Sequence, residues 1–259
     1  MTTLDQSNSG QGSAAPVQDN INAYWTGRAP AYDDYQRRDQ RWDVDRAAWA
    51  DILAAALPPA PAQVLDLGAG SGYVAFLLAE LGHHVTASDL STGMLGRARA
   101  HAAELAVAGE PAPIFFDDDA VAPDFAPESI DAITNRYLMW TLREPHTALA
   151  NWHRILRPGG VLVVVDSTWF PDGMHAESAT ADETDTADDF SRLYDRSVRG
   201  ALPLAEARSI DATRDLVEAA GFAEVTVEPL TAILELDRAH GVAPGHHVQT
   251  QHLIRAVRA

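Results

Sequence analysis

"VLDLGAGSGYVAFLLAELGHHVTASDL", Val64 to Leu90, is the stretch that decides the reading of the chain. Val64 to Leu67 is a short buried strand, and Gly68, Gly70 and Gly72 follow it at alternate positions. Tyr73 to Leu81 then has helical spacing stopped by Gly82, and Val85 to Ser88 is a second strand closed by Asp89. A strand that turns sharply into a helix exposes backbone N–H groups, which attract a carboxylate or phosphate, and glycine keeps side chains out of that approach. The third glycine decides between ligands. A dinucleotide loop runs G-x-G-x-x-G, whereas this one runs G-x-G-x-G, one place short. Asp66 at the loop entrance repels a pyrophosphate but can hold an ammonium. The loop therefore favours a nucleoside that carries an amino acid. Asp89, nineteen residues after Gly70, can accept both ribose hydroxyls, as it would in a nicotinamide site too.

Composition removes several classes at once. The 259 residues, 46% of them hydrophobic, can fill one large α/β core. A formal charge of −18 argues against nucleic acid and anionic membrane as partners, because phosphates need clustered cations. There is no cysteine, hence no disulfide, thiolate metal site or cysteine nucleophile. All 19 cationic residues are arginine, which removes the P-loop lysine, the Schiff-base lysine and the Tyr/Lys pair of short-chain dehydrogenases. The first residues lack a basic start and an apolar core, and no run of about eighteen apolar residues occurs, so the expectation is a soluble cytoplasmic protein.

Along the chain, residues 1–18 read as a disordered polar tail and 19–60 as an N-terminal helical cap, with aromatics at Tyr24, Trp25, Tyr32, Tyr35, Trp42 and Trp49. Pro58, Pro59 and Pro61 end the cap, and residues 61–259 form the main domain. Ser91 is an N-cap for a helix to Val107; Ile114–Phe116 and Ile130–Thr134 are strands; Pro145 opens a helix whose apolar face is Ala148, Leu149, Trp152, Ile155 and Leu156. Pro158, Gly159 and Gly160 turn the chain into VLVVVDS, apolar on both faces as a central parallel strand should be. Repeated βα units of this length predict a doubly wound sheet. Residues 169–209 break the rhythm with an acidic insertion of lid-like length, before a helix at 211–220 and strands at 223–228 and 251–257.

These residues bring a resemblance into view. D-x-G-x-G-x-G followed by an acidic second-strand end is similar to the class I S-adenosylmethionine-dependent methyltransferases, small-molecule natural-product members in particular. SIDAITNRYLMWTL, HRILRPGGVLVVVD and YWTGRAPAYDD extend the likeness over roughly Tyr24 to Leu162. The resemblance implies a Rossmann-like doubly wound α/β fold, a seven-stranded sheet mostly parallel with an antiparallel C-terminal strand, and S-adenosyl-L-methionine as cofactor. It implies the methionine moiety near Asp66, Gly68, Ala69, Gly70 and Gly72, and the ribose at Asp89 with Leu90 and Met94 beside it. The adenine falls at Asp118, Asp119 and Ala120, and the reactive end at Asn135 or Arg136. Tyr24, Arg28 and Tyr32 would close over the cofactor, and Tyr137, Trp140 and Trp169 would meet the acceptor.

Tyr32, Tyr137 and His175 are the candidates for a direct part in catalysis, His175 as the one histidine placed for a general base. Asp131 and Asp166 read as structural and Trp152 as core. His240, His246, His247 and His252 lack H-x-x-x-H or H-E-x-x-H spacing, so no metal is expected. The acceptor is expected to be a small secondary metabolite methylated at nitrogen, oxygen or an aromatic carbon, such as an indole. The sequence leaves a homodimer open. Two rivals stay open at this point: a nicotinamide-dependent oxidoreductase and a non-catalytic cofactor-binding protein.

Overall fold

Alternation along the strands dictates a sheet covered on both faces. In β1 (Gln63–Leu67), Val64 joins one buried cluster while Leu65 and Leu67 join the other. The same division separates Val161, Val163 and Val165 from Leu162 and Val164 in β5 (Leu156–Asp166). The computed structural model describes residues 14–38, 41–174, 185–243 and 247–259.

The remaining strands are β2 (His84–Asp89), β3 (Ile114–Asp117), β4 (Ile130–Arg136), β6 (Phe222–Pro229) and β7 (His252–Arg258). They form one seven-stranded sheet in the order β3-β2-β1-β4-β5-β7-β6, in which β7 alone runs antiparallel to its neighbours. Helices α1 (Ala14–Gln36) and α2 (Trp42–Ala56) precede the sheet. One sheet face is covered by α2, α3 (Tyr73–Glu80), α4 (Thr92–Ala108) and Ile233 of α9 (Thr231–His240). The other is covered by α5 (Pro145–Ile155) and Val217 of α8 (Asp211–Ala219). A third cluster joins Val17 and Ile21 of α1 to Phe170, Met174 and Tyr194, and to Val198 of α7 (Arg196–Gly200), which follows α6 (Asp185–Leu193). The insertion and the cap therefore share a core of their own. Among the described residues no helix is long and apolar enough to cross a membrane.

The strand order reverses between β1 and β4, so the carboxyl ends of these strands open a crevice, the usual ligand position in open α/β sheets. Three sequence expectations change. Helix α1 begins at Ala14 rather than at residue 19, with Val17 already buried, so the last part of the expected tail is helix. Pro158, Gly159 and Gly160 do not separate helix from strand: Leu156 already pairs with Ile130 and Val161 with Ala132, so these residues bulge out within β5. Helix α9 was not anticipated, because it buries only Ile233 and Asp237, too narrow a stripe to stand out as helical periodicity.

Glycine is required at Gly72, whose φ is +92° and where a Cβ would fall 2.6 Å from Phe76 Cε2 and 2.9 Å from Phe115 Cζ. Gly96, within α4, has nothing within 4 Å of an added Cβ. Gly72→Ala is therefore expected to lower unfolding free energy by about 1–3 kcal/mol. Gly96→Ala is expected to raise it by about 0.5–1 kcal/mol. Urea unfolding of both variants checks the pair, and equal effects would refute the assignment of strain to the loop.

Candidate active site

The loop after β1 is held open by one carboxylate. Asp89 Oδ2 accepts from the Gly70 N–H at 2.8 Å and Oδ1 from the Ser91 N–H at 2.7 Å. Burial pushes its pKa up, and these backbone donors pull against that rise. Gly68 and Gly70 have φ of +64° and +57°. A Cβ on Gly68 would stand 2.7 Å from Leu138 Cδ1, whereas one on Gly70 would meet only Met94 Sδ at 3.9 Å. The backbone at Gly70 thus faces open space.

That space is a cavity of about 790 Å³, open solvent included, which is nucleoside-sized. Its wall includes Gly68, Gly70, Asp89, Leu90, Met94, Asp118, Asp119 and Ala120. Asp119 Oδ1 accepts from the Val121 N–H at 2.9 Å, and Oδ2 pairs with Arg143 Nη2 at 3.1 Å. Arg143 in turn donates to Gln18 Oε1 at 2.7 Å, tying this end of the cavity to α1. Helix α1 roofs the cavity with Gln18, Ile21, Asn22, Trp25 and Tyr32. It comes close because α4 has glycine where it passes: a Cβ at Gly93 would be 2.6 Å from Thr26 O, and Thr26 Oγ1 lies 3.0 Å from Ser91 Oγ.

A second cavity of about 700 Å³ shares Tyr32, Arg136 and Tyr137 with the first. Tyr35, Trp49, Trp169, Ile233 and Gln251 are among its other walls. Tyr137 takes a left-handed backbone, φ +63°, fixed by its N–H donating to Val165 O at 2.8 Å and its hydroxyl donating to Gln251 Oε1. Gln251 Nε2 donates to Asp237 Oδ2 at 3.0 Å, and Asp237 pairs with Arg41 at 2.7 Å. Burial pushes the Tyr137 phenol above its usual range, so it stays protonated.

Several sequence-expected residues stand elsewhere. Tyr24 lies outside both walls, packed edge-on against Phe190 and Tyr194 at 5.3 and 5.2 Å, with Arg28 beside it; Trp25, one residue on, lines the first cavity instead. Trp140 is buried and stacked on Tyr194, 5.6 Å between centroids, so it supports the roof and lines neither cavity. Gly72 starts α3 behind the loop, and Ala69 donates its N–H to Ser88 O at 2.9 Å. Asp66 and Asn135 are buried behind the first wall. Asp66 Oδ1 accepts from Thr134 Oγ1 at 2.7 Å, while its Oδ2 and both side-chain amide atoms of Asn135 have no partner among the described residues. Burial raises the Asp66 pKa to about 7. Asp166, as expected, is structural: it accepts from the Trp140 N–H at 3.2 Å, the Ser167 N–H at 2.8 Å and the Trp169 indole. His175 lies outside the described residues. Sequence reading missed Trp25, Gln251 and Asp237.

Buried polar atoms normally have partners, so the orphaned Asp66 oxygen behind the wall is an acceptor left unsatisfied by the described residues. With the open glycine cradle and the acidic cavity, the residues present suit an adenosine that carries an amino acid. A family described as "Methyltransferase domain" matches residues 65–164. A demethylmenaquinone methyltransferase of Clavibacter sepedonicus is 33% identical over 219 residues, covering 81% of this chain and 82% of that protein. A ubiquinone/menaquinone biosynthesis C-methyltransferase of Ruegeria sp. (strain TM1040) is 35% identical over 132 residues, 49% of this chain and 51% of its own. Among solved structures, a geranyl diphosphate methyltransferase shares the fold at TM-score 0.64 and 18% identity, over 94% of this chain and 100% of that one. The oxidoreductase reading and the non-catalytic one both fall to these matches. Identity at that level, sustained across most of both chains and on a sheet of this order, makes the chain a member of the class I S-adenosylmethionine-dependent methyltransferases, of the kind that act on small molecules.

Proposed function

We propose that the first cavity takes S-adenosylmethionine, the second takes a small flat aromatic acceptor, and the methyl group passes between them at Tyr32, Arg136 and Tyr137. The observation that carries this reading is the sharing of those three residues by both walls. The names of the curated relatives favour a quinone-type ring methylated at carbon. A natural-product ring, an indole included, has the same flat shape and belongs to the same acceptor class. The net charge of −18 supports a small acceptor over a nucleic acid.

In this reading Asp89 holds the ribose hydroxyls, Asp118, Asp119 and Ala120 the adenine, and Leu90 and Met94 the apolar flank of the nucleoside. Gly68, Gly70 and the free oxygen of Asp66 take the amino-acid end, with Asn135 behind them. When bound, the cofactor supplies an electrophilic methyl on a sulfonium that is already a good leaving group. The chain need only align and dry the partners, and alignment alone can supply roughly 7–11 kcal/mol. The faces of Tyr32 and Tyr137 can stabilise a cationic methyl by about 0.5–2 kcal/mol. Tyr137, kept protonated by burial, donates a hydrogen bond and does not act as the base.

Asp89→Ala removes a charged acceptor from two loop N–H groups and from the ligand. It is expected to weaken S-adenosylmethionine by about 10–100-fold in isothermal titration calorimetry, with Asp89→Asn between. Unchanged affinity would remove Asp89 from the ribose site.

A pH dependence follows from Asp66. In the free protein it holds a proton below about pH 7, yet an ammonium needs the carboxylate. Affinity is therefore expected to rise with pH up to about 7, by up to about tenfold per unit, and Asp66→Asn is expected to flatten the profile. Because the raised pKa makes the folded state bind more protons than the unfolded chain, the free protein loses stability as pH rises from about 4 to about 7. Thermal melts of wild type and Asp66→Asn across that window check the sign.

A further inference from the structure

We propose that the acceptor binds as an oxyanion on a flat ring, with its charge against Arg136; this rests on the two-cavity reading above. In a chain of net charge −18, the second cavity is lined by Arg38, Arg41 and Arg136 against Asp45 and Asp237. Both carboxylates are already engaged by one cation, since Arg41 pairs with Asp45 and with Asp237, each at 2.7 Å. Asp45 further accepts from the Tyr73 hydroxyl at 2.8 Å, and Asp237 from Gln251. Arg38 and Arg136 make no direct ion pair with a carboxylate among the described residues, although Asp45 and Asp66 act on Arg136 from a distance.

Arg38 is used by the protein itself: it lies 3.6 Å over the Tyr35 ring and donates to the carbonyls of Tyr35 and Gly241. Arg136 is not so used. Its guanidinium stands over the rings of Trp49, Tyr73 and Tyr137 at 5.1, 4.6 and 4.9 Å, which hold the cation but leave its N–H donors unspent. Donors of this kind in a cavity wall suit a carboxylate or an ionised ring hydroxyl. Beside Arg136, Tyr137 and Trp169 stand edge to face at 5.0 Å, offering aromatic surface for the ring that carries the charge.

The first cavity has the opposite balance. Asp89, Asp118 and Asp119 line it, with Arg136 as its one lining arginine among the described residues. An acidic cavity suits a cationic methyl donor, and a basic neighbour suits an electron-rich anionic acceptor. The guanidinium between them repels an amine acceptor.

The test uses the full chain saturated with S-adenosylhomocysteine, titrated with four naphthalene-type probes by calorimetry. The probes are naphthoate, a carboxylate; lawsone, an ionised ring hydroxyl; naphthylmethanol, neutral; and naphthylmethylamine, a cation. Naphthoate or lawsone is expected to bind at least about tenfold tighter than the alcohol, and whichever is tighter identifies the oxyanion; the amine is expected to bind weakest. In protein kept saturated with S-adenosylhomocysteine, Arg136→Gln is expected to abolish the anion preference and Arg136→Lys to restore part of it. Equal wild-type affinity for anions and alcohol, or tightest binding of the amine, would overturn the proposal even if the variant did not fold. Retention of the anion preference by folded Arg136→Gln would also overturn it. Failure of the wild type to bind S-adenosylhomocysteine at all would instead overturn the cofactor-site reading beneath.

Discussion

The carboxylate of Asp89 is the point on which the site depends. Each of its oxygens accepts one backbone N–H, Gly70 from the loop after β1 and Ser91 from the cap of α4. The loop has one further tie to β2, the Ala69 N–H donating to Ser88 O at 2.9 Å. With Asp89 in place, the glycines hold their left-handed turns and Ser91 caps α4 by accepting from the Met94 N–H. The same serine hydroxyl lies 3.0 Å from that of Thr26, so the roof helix α1 is registered against the Asp89 end of the cavity. One half-buried carboxylate thus sets the floor, the side wall and the roof, and backbone donors offset the cost of its partial burial.

The roof is assembled from distant parts of the chain. Tyr194, within the insertion, accepts from the Trp25 indole at 3.1 Å and stacks on Trp140 from the β4 loop. Phe190 stacks on Tyr194 in turn, 4.6 Å between centroids. Aromatic contacts of this kind bury large areas at little conformational cost, so the cap, the β4 loop and the insertion hold one another without covering the sheet. The arrangement explains why an acidic, Ala/Thr-rich insertion carries aromatics at its end: Phe190 and Tyr194 are its anchor.

What the sequence made legible follows from locality. The glycine loop, Asp89, the Ser91 cap and the acidic run at Asp118 and Asp119 lie within single turns or strand ends, where residue type and spacing carry the physics. Tyr32 and Tyr137, read as candidates for the chemistry, meet at the wall shared by both cavities. The errors are of a different kind. Tyr24 and Trp25 are adjacent, so they point to different sides of α1; Gln18, Ile21, Asn22, Trp25 and Tyr32 share the cavity face at helical spacing, but the polar residues before them concealed the helix. Gln251 and Asp237 had no local signal, since their partners Tyr137 and Arg41 are 114 residues away in one case and close only through the fold in the other. Trp140 and Trp169 were both expected to meet the acceptor, and only tertiary packing separates the buried support from the cavity wall.

Tyr137 shows how that packing is used. A bulky residue in the left-handed region costs about 1–3 kcal/mol, so it persists only where its surroundings over-determine it. Here they do so at both ends: Val165 of β5 fixes the amide, and Gln251 fixes the hydroxyl through a chain that continues to Asp237, Arg41 and Asp45. That chain links the start of α2 with α9 and the entrance to β7, so elements from both ends of the sequence converge on one ring. A reaction that needs alignment more than proton transfer gains from such rigidity, because a wall shared by two ligands sets the distance between them only if it does not move. The strain in Tyr137 and the polar chain that holds it are then two aspects of one device, which gives the junction between the cavities a fixed width.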